Sequence, residues 1–301
     1  MLSFLLAVVF TVLLYLMMRA FPKYQVDTTQ AVVFNYYSCV VLGLFLLPKS
    51  SDYFGLSWQT PTTLLTLVLG AMFVVVFLLI GLTTTRVSVT AASLAGNMSL
   101  VIPVLFGLFV FKNNHKDFTL WNYLGLFTAI IALALSTIRS SSGEVVSNAK
   151  KGLVLVLPLL LFVCSGTNNT LINYISGTYY RPDESVLFTT IACTGAVVIG
   201  TSFLVFRMIL QQEKIKLQSI LGGFLLGIPN FLSFYFLLAA LRAFDNSAAF
   251  VFPIYNVLSM LTSAFMAWVL FKEQLNSFNK LGLFLAILAI FLISYQEILE
   301  F

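Results

Sequence analysis

From Leu2 to Met18 the chain runs without a charged residue, and runs of the same character recur to its end. A bilayer core takes about 20 apolar residues per helix. That length picks out ten spans: roughly 2–20, 30–48, 63–84, 88–111, 119–138, 152–175, 185–206, 218–241, 246–271 and 279–296. Lipid offers no hydrogen bonds, so a lone apolar run that crosses it must close its own backbone as a helix. Only 9% of the residues are charged, mean hydropathy is +1.00, and 30 residues are Phe. A water-soluble domain has about a quarter of its residues charged. The sequence therefore predicts an all-α integral membrane protein of ten transmembrane helices. The first run has no basic stretch before it and no small-residue cleavage site after it, so it is read as a retained helix rather than a signal peptide.

The chain also repeats itself. Gly125-Leu-Phe-Thr-Ala-Ile-Ile-Ala132 returns as Gly282-Leu-Phe-Leu-Ala-Ile-Leu-Ala289. Each copy follows a Phe-Lys pair, Phe111-Lys112 or Phe271-Lys272, and trails an arginine, Arg86 by 39 residues and Arg242 by 40. Duplication at this scale indicates two copies of one unit. The serine-rich stretch around residues 141–151 divides five spans from five, giving repeats over 1–140 and 152–301. Five is odd, so the second repeat enters the membrane from the opposite side and the repeat is inverted, as in many alternating-access carriers. Within each octapeptide the small residues (Gly125, Ala129, Ala132 and Gly282, Ala286, Ala289) share one helical face. Gly223 and Gly227 form a similar pair, and such faces allow close helix packing in lipid.

Ten spans, a five-plus-five duplication and the segment from Phe271 through Glu273 to Gly282 together resemble the drug/metabolite transporter superfamily, and within it the EamA-like carriers. Glu273 after the ninth span and Gly282 opening the tenth match that family's pattern, whereas the first half has Asn113 where the Glu would stand. The resemblance implies a carrier of small organic solutes such as amino acids, metabolites or drugs, often exported.

Intramembrane polar residues carry the site argument, because a buried amide is costly without a hydrogen-bonding partner. Clusters occur at Asn35–Ser38, at Ser93 with Asn97, at Ser165–Asn173, at Thr189–Thr194, at Asn230–Tyr235 and at Tyr255–Ser259. Ser and Thr in such positions serve mainly as cross-helix fastenings. The carboxamides are read as cavity lining, with Asn97, Asn168, Asn169, Asn230, Tyr255 and Asn256 as the candidate substrate-binding residues. Asn97 and Asn256 precede Lys112 and Lys272 by 15 and 16 residues, which makes them candidate repeat equivalents. Adjacent amides at 168 and 169 point about 100° apart, so both cannot face one helix seam. Pro103, Pro158, Pro229 and Pro253 interrupt spans, and each removes a backbone hydrogen bond.

No Asp, Glu, Lys or His falls in the middle of a span. A charge there costs about 2.5–3.5 kcal/mol even on the lenient insertion scale. This pattern disfavours a membrane-buried carboxylate for proton coupling, and it disfavours polyanionic substrates. The one histidine, His115, lies in a loop among Lys112, Lys116 and Asp117, and the three cysteines, Cys39, Cys164 and Cys193, have no metal-site spacing. No catalytic constellation, metal site or cofactor is expected, and the net charge of +5 reads as orientation and headgroup contact rather than nucleic-acid binding. Alternating the spans puts 5 Lys and Arg on one side and 11 on the other, which places both termini outside the cytoplasm; the resembled carriers keep theirs inside. Nothing in the sequence indicates a homodimer. The expectation is an integral protein, of the plasma (inner) membrane if bacterial, that moves a small neutral or zwitterionic solute by alternating access. The competing expectation is a non-transporting assembly or lipid-handling protein on the same scaffold, whose amides would face lipid.

Overall fold

The computed structural model describes residues 2–49, 51–103, 106, 119–136, 148–243 and 248–299. Among these residues there is no strand, and the long helices are α1 (Leu2–Ala20), α2 (Thr28–Leu46), α3 (Pro61–Arg86), α4 (Val89–Met98), α5 (Leu120–Ser136), α6 (Asn148–Tyr179), α7 (Ser185–Gln211), α8 (Leu217–Ala243), α9 (Ala248–Phe271) and α10 (Ser277–Leu299). Seven helical segments are long and apolar enough to cross a membrane, and three shorter apolar ones cover 89–103, 120–132 and 277–293. Large apolar side chains such as Phe45, Phe127, Ile209, Leu217 and Phe284 point outward, as a lipid-facing surface requires. Phe111, Lys112, Asn113, His115, Lys116, Asp117 and Arg139 lie outside the described residues, as do positions 141–147; the end of that polar stretch, from Asn148, is already the start of α6.

Local sequence sets the boundaries. Asp27 accepts from Gln30 N at 2.9 Å to cap α2, and Ser88 accepts from Ala91 N at 2.9 Å to cap α4. The span expected over 88–111 does not run on as one helix, because α4 stops at Met98 and Ser99-Leu100 form a turn. Pro103 explains the break: its ring would clash with the Ser99 carbonyl in a continuous helix and it has no N–H to offer. The Ser99 carbonyl is instead taken by Ile102 N at 3.0 Å, and Ser99 Oγ bonds back to the Gly96 carbonyl at 2.6 Å.

Packing runs mainly across the two halves. α1 lies on α8 as α6 lies on α3; α2 lies on α8 as α7 lies on α3; α1 meets α9 as α6 meets α4. Three further cross-half pairs, α2–α7, α4–α9 and α5–α10, join helices of the same rank in each half, and α4–α10 and α5–α6 touch more lightly. Glycines permit the closest crossings. A Cβ at Gly195 would lie 2.0 Å from the Leu67 carbonyl oxygen, and one at Gly70 would lie 2.2 Å from Ala196 N. Gly223 and Gly227 press in the same way on the Ala31 and Asn35 carbonyls. In the α5–α10 seam Ala129, Ala132, Ala286 and Ala289 are fully buried, so the two octapeptides meet as close-packed faces.

Polar fastenings gather at the helix ends. Arg19 donates to the Thr84 and Thr85 carbonyls at 2.7 Å, closing the end of α3. Gln30, 1% exposed, donates to Glu213 and to the Lys214 carbonyl and accepts from Lys216 N. Glu213 also pairs with Arg207 at 2.8 Å. These contacts bring Arg19, Arg207, Lys214 and Lys216 to one end of the bundle. Arg181 lies at the other end, where Tyr180 meets Thr66 of α3.

Candidate functional site

Between the helices lies a cavity of about 860 Å³. Among the described residues every long helix except α5 contributes to its wall. Much of the wall is aromatic: Tyr15, Tyr36, Phe73, Phe77, Phe188, Phe231, Phe234, Phe252 and Tyr255. No charged side chain occurs among the lining residues. All six residues singled out from the sequence, Asn97, Asn168, Asn169, Asn230, Tyr255 and Asn256, reach this one space.

The break in α4 places the first of them. Gly96, Asn97, Met98, Leu100, Val101 and Pro103 all line the cavity, so the interrupted segment forms part of its wall. Asn97 is 6% exposed, and its Nδ2 donates to the Ser93 carbonyl at 2.7 Å and to Ser93 Oγ at 3.2 Å. The amide hydrogens are thus held by its own helix.

On α6 the adjacent amides behave differently. Asn169 Nδ2 reaches across to Ser99 Oγ at 3.2 Å, whereas Asn168 Oδ1 is buried with no hydrogen-bond partner. The expected divergence of the two amides is met by a cavity wide enough to border both. Asn256 is 4% exposed, and Tyr255 OH pairs with Thr11 Oγ1 on α1.

On the α2 and α8 side, Asn230 Nδ2 donates to Asn35 Oδ1 at 3.0 Å and to Cys39 Sγ at 3.5 Å. Asn35 Nδ2 and Tyr36 OH are buried there without partners. Buried polar atoms without a partner are uncommon in folded proteins. The chemistry available to this wall is hydrogen bonding, aromatic contact and that of the free thiols Cys39 and Cys193. It has no nucleophile–base pair, and the described residues hold no group of three or more His, Cys, Asp or Glu for a metal.

Sequence reasoning singled out neither Tyr15 nor the phenylalanines of the wall, and it named Tyr36 only within the cluster Asn35–Ser38. In an apolar run an aromatic facing a cavity carries the same signature as one facing lipid. Only Asn35 beside Tyr36 gave a local hint. The two arginines trailed by the octapeptides end differently: Arg86 is exposed at the end of α3, and the Arg242 side chain lies outside the described set.

Residues 150–295 match the EamA-like transporter family. The chain is also similar to an uncharacterized protein of Haemophilus influenzae, 22% identical over 307 residues and covering 97% of each chain. A solved crystal structure of another protein shares the fold, with a TM-score of 0.56 at 12% identity over 98% of each chain.

Proposed function

We propose, from the match of residues 150–295 to the EamA-like transporter family, that the protein is a carrier which moves a small neutral or zwitterionic organic solute by alternating access. The architecture in this reading is ten transmembrane helices arranged as two inverted five-helix repeats over 1–140 and 152–301, joined through 141–151. The exchange-symmetric pairing of helices across the halves supports the duplication. The convergence of the six candidate residues on one neutral cavity carries the functional reading. Asn97, Asn168, Asn169, Asn230, Tyr255 and Asn256 hold the solute by hydrogen bonds, while the aromatic wall supplies its apolar contact. Export is the direction favoured by the family, and the plasma (inner) membrane is the location if the source is bacterial.

The competing assembly or lipid-handling reading needs amides along a lipid-facing groove. Asn97, Asn168 and Asn256 are instead buried, at 6%, 8% and 4% exposure. A growth screen against amino acids and toxic analogues, with and without the gene, identifies the solute. Flux of that solute in proteoliposomes then tests the site. Asn168→Ala and Asn256→Ala should each lower it about tenfold, the equivalent of one hydrogen bond; unchanged flux in both would refute the assignment.

A further inference from the structure

Cys39 on α2 and Cys193 on α7 are free thiols, both buried and both on the cavity wall. They pack in one cluster at the α2–α7 crossing, where Gly43 against Thr190 and Gly200 against Val33 set Cys39 level with Cys193. Cys39 Sγ is further bracketed by Asn230 Nδ2 at 3.5 Å, the Gly227 carbonyl at 3.6 Å and Asn35 Oδ1 at 3.7 Å. Tyr36 and Phe231 pack in the same cluster as the two thiols, with Phe73 and Phe77 against it. The third cysteine, Cys164 on α6, is absent from the lining and serves as an internal contrast.

We propose that Cys39 and Cys193 form a dithiol site for trivalent organoarsenicals entering from the cavity. Two sulfurs are too few for a structural zinc site, which takes four protein ligands, and a wall without charge disfavours any adduct that carries one. An arsenic(III) oxide, R–As=O, meets both conditions. Each thiol replaces an As–O bond with an As–S bond, the two thiol protons leave with the oxygen as one water, and arsenic stays trivalent. The product, R–As(SCys)₂, is neutral, and the aromatic surround accepts an aryl R group. Because α2 belongs to the first half of the chain and α7 to the second, the adduct also ties the halves together.

The probe is phenylarsine oxide added to the full-length protein in liposomes. Intact mass should show one phenylarsenic group, and the free-thiol count should fall from three to one. Dimercaptopropanol should reverse both. Cys39→Ser and Cys193→Ser should each bind at least about 100-fold more weakly, because the second bond loses its high effective concentration, while Cys164→Ser should bind as the unaltered protein does. Thiol counting on the Cys164→Ser protein leaves the pair intact, so the test does not depend on either serine variant folding. Loss of one thiol only, no adduct on folded protein, or equal binding by Cys39→Ser overturns the site. Solute flux rests separately on the carrier reading: an adduct that leaves flux unchanged keeps the dithiol site and counts against the cavity as the transport path.

Discussion

Asn122 at the start of α5 donates its Nδ2 hydrogen to the Ile293 carbonyl on α10 at 2.8 Å. Asn279, 157 residues later and at the start of α10, returns the contact to the Leu135 carbonyl on α5 at 3.3 Å. Each also turns Oδ1 back onto the residue three before it, Thr119 N at 2.9 Å and Asn276 N at 3.3 Å. The α5–α10 seam is therefore fastened at both ends by the same device, once from each half. Removing either amide loses both the bond across the seam and the one back to the residue three before it. Asn122→Ala and Asn279→Ala should each destabilise by about 1–3 kcal/mol. The two clasps share no partner, so the double variant should lose the sum to within about 0.5 kcal/mol. Unfolding in detergent followed by circular dichroism measures this; a double variant no worse than either single one would show that the clasps act as one unit.

The glycine seams give a sharper contrast. Gly195 has the Leu67 backbone where its Cβ would be, whereas a Cβ at Gly177 of α6 would meet nothing within 4 Å. Backbone cannot step aside as a flexible side chain can, so Gly195→Ala must separate α3 from α7. Overpacking of this kind costs about 1–3 kcal/mol or more. Gly177→Ala should be neutral or stabilising by up to about 1 kcal/mol, the helix preference of Ala over Gly. Melting temperatures of the two variants decide the matter, and equal shifts would count against the α3–α7 crossing described above.

Much of this was legible beforehand because lipid imposes a length and a solvent rule on every span. The helix limits follow from apolar run length, the caps at Asp27 and Ser88 emerging only with the structure, and five of the six candidate residues that reach the cavity follow from the cost of burying an amide. The interruption at Ser99-Leu100 was not foreseen, although Pro103 was noted, because whether a proline bends or breaks a helix depends on what its neighbours bond to. The clasp was missed for a narrower reason. Asn122-Tyr-Leu-Gly125 and Asn279-Lys-Leu-Gly282 extend the repeated octapeptide upstream, and the equivalence was open to reading three residues before either glycine. Apart from Tyr255, the aromatic wall could not be assigned from the sequence, since facing is set by tertiary packing and not by the identity of Phe73 or Phe188.

The hairpin between α6 and α7 should respond to pH. Glu184 accepts from Arg181 N at 2.8 Å and from the Arg181 guanidinium at 3.0 Å. Those two contacts, the backbone bond first, hold its carboxyl below the usual carboxylate range. A depressed folded value means that the contribution is present above the unfolded value and lost as pH falls through the folded one. Amide exchange in the hairpin should therefore accelerate on acidification below the ordinary carboxylate range. Glu184→Gln should remove that response; a Gln variant that keeps it would place the titrating group elsewhere.

Glu273 has a structural task. Lys272 closes α9 in the left-handed conformation, at φ 53°, and the chain turns so that the next carboxylate meets the start of α4. Glu273 Oε2 accepts from Val89 N at 3.0 Å and Oε1 from Thr90 N at 3.2 Å, while Ser88 Oγ takes Ala91 N. All three leading N–H groups of α4 are thereby satisfied, and a negative charge sits at the positive end of the helix. Glu273→Ala should cost about 1–2 kcal/mol through the lost cap and the lost dipole contact. Glu273→Gln keeps an acceptor without the charge and should cost about half as much. The consequence reaches the cavity, because α4 is the short helix that carries Asn97 to its wall. Displacing its start should weaken solute binding more than it slows the maximal flux, a split that initial-rate measurements in proteoliposomes resolve. If Glu273→Ala melts with the unaltered protein and transports with the same half-saturation, the carboxylate does not hold α4 in place.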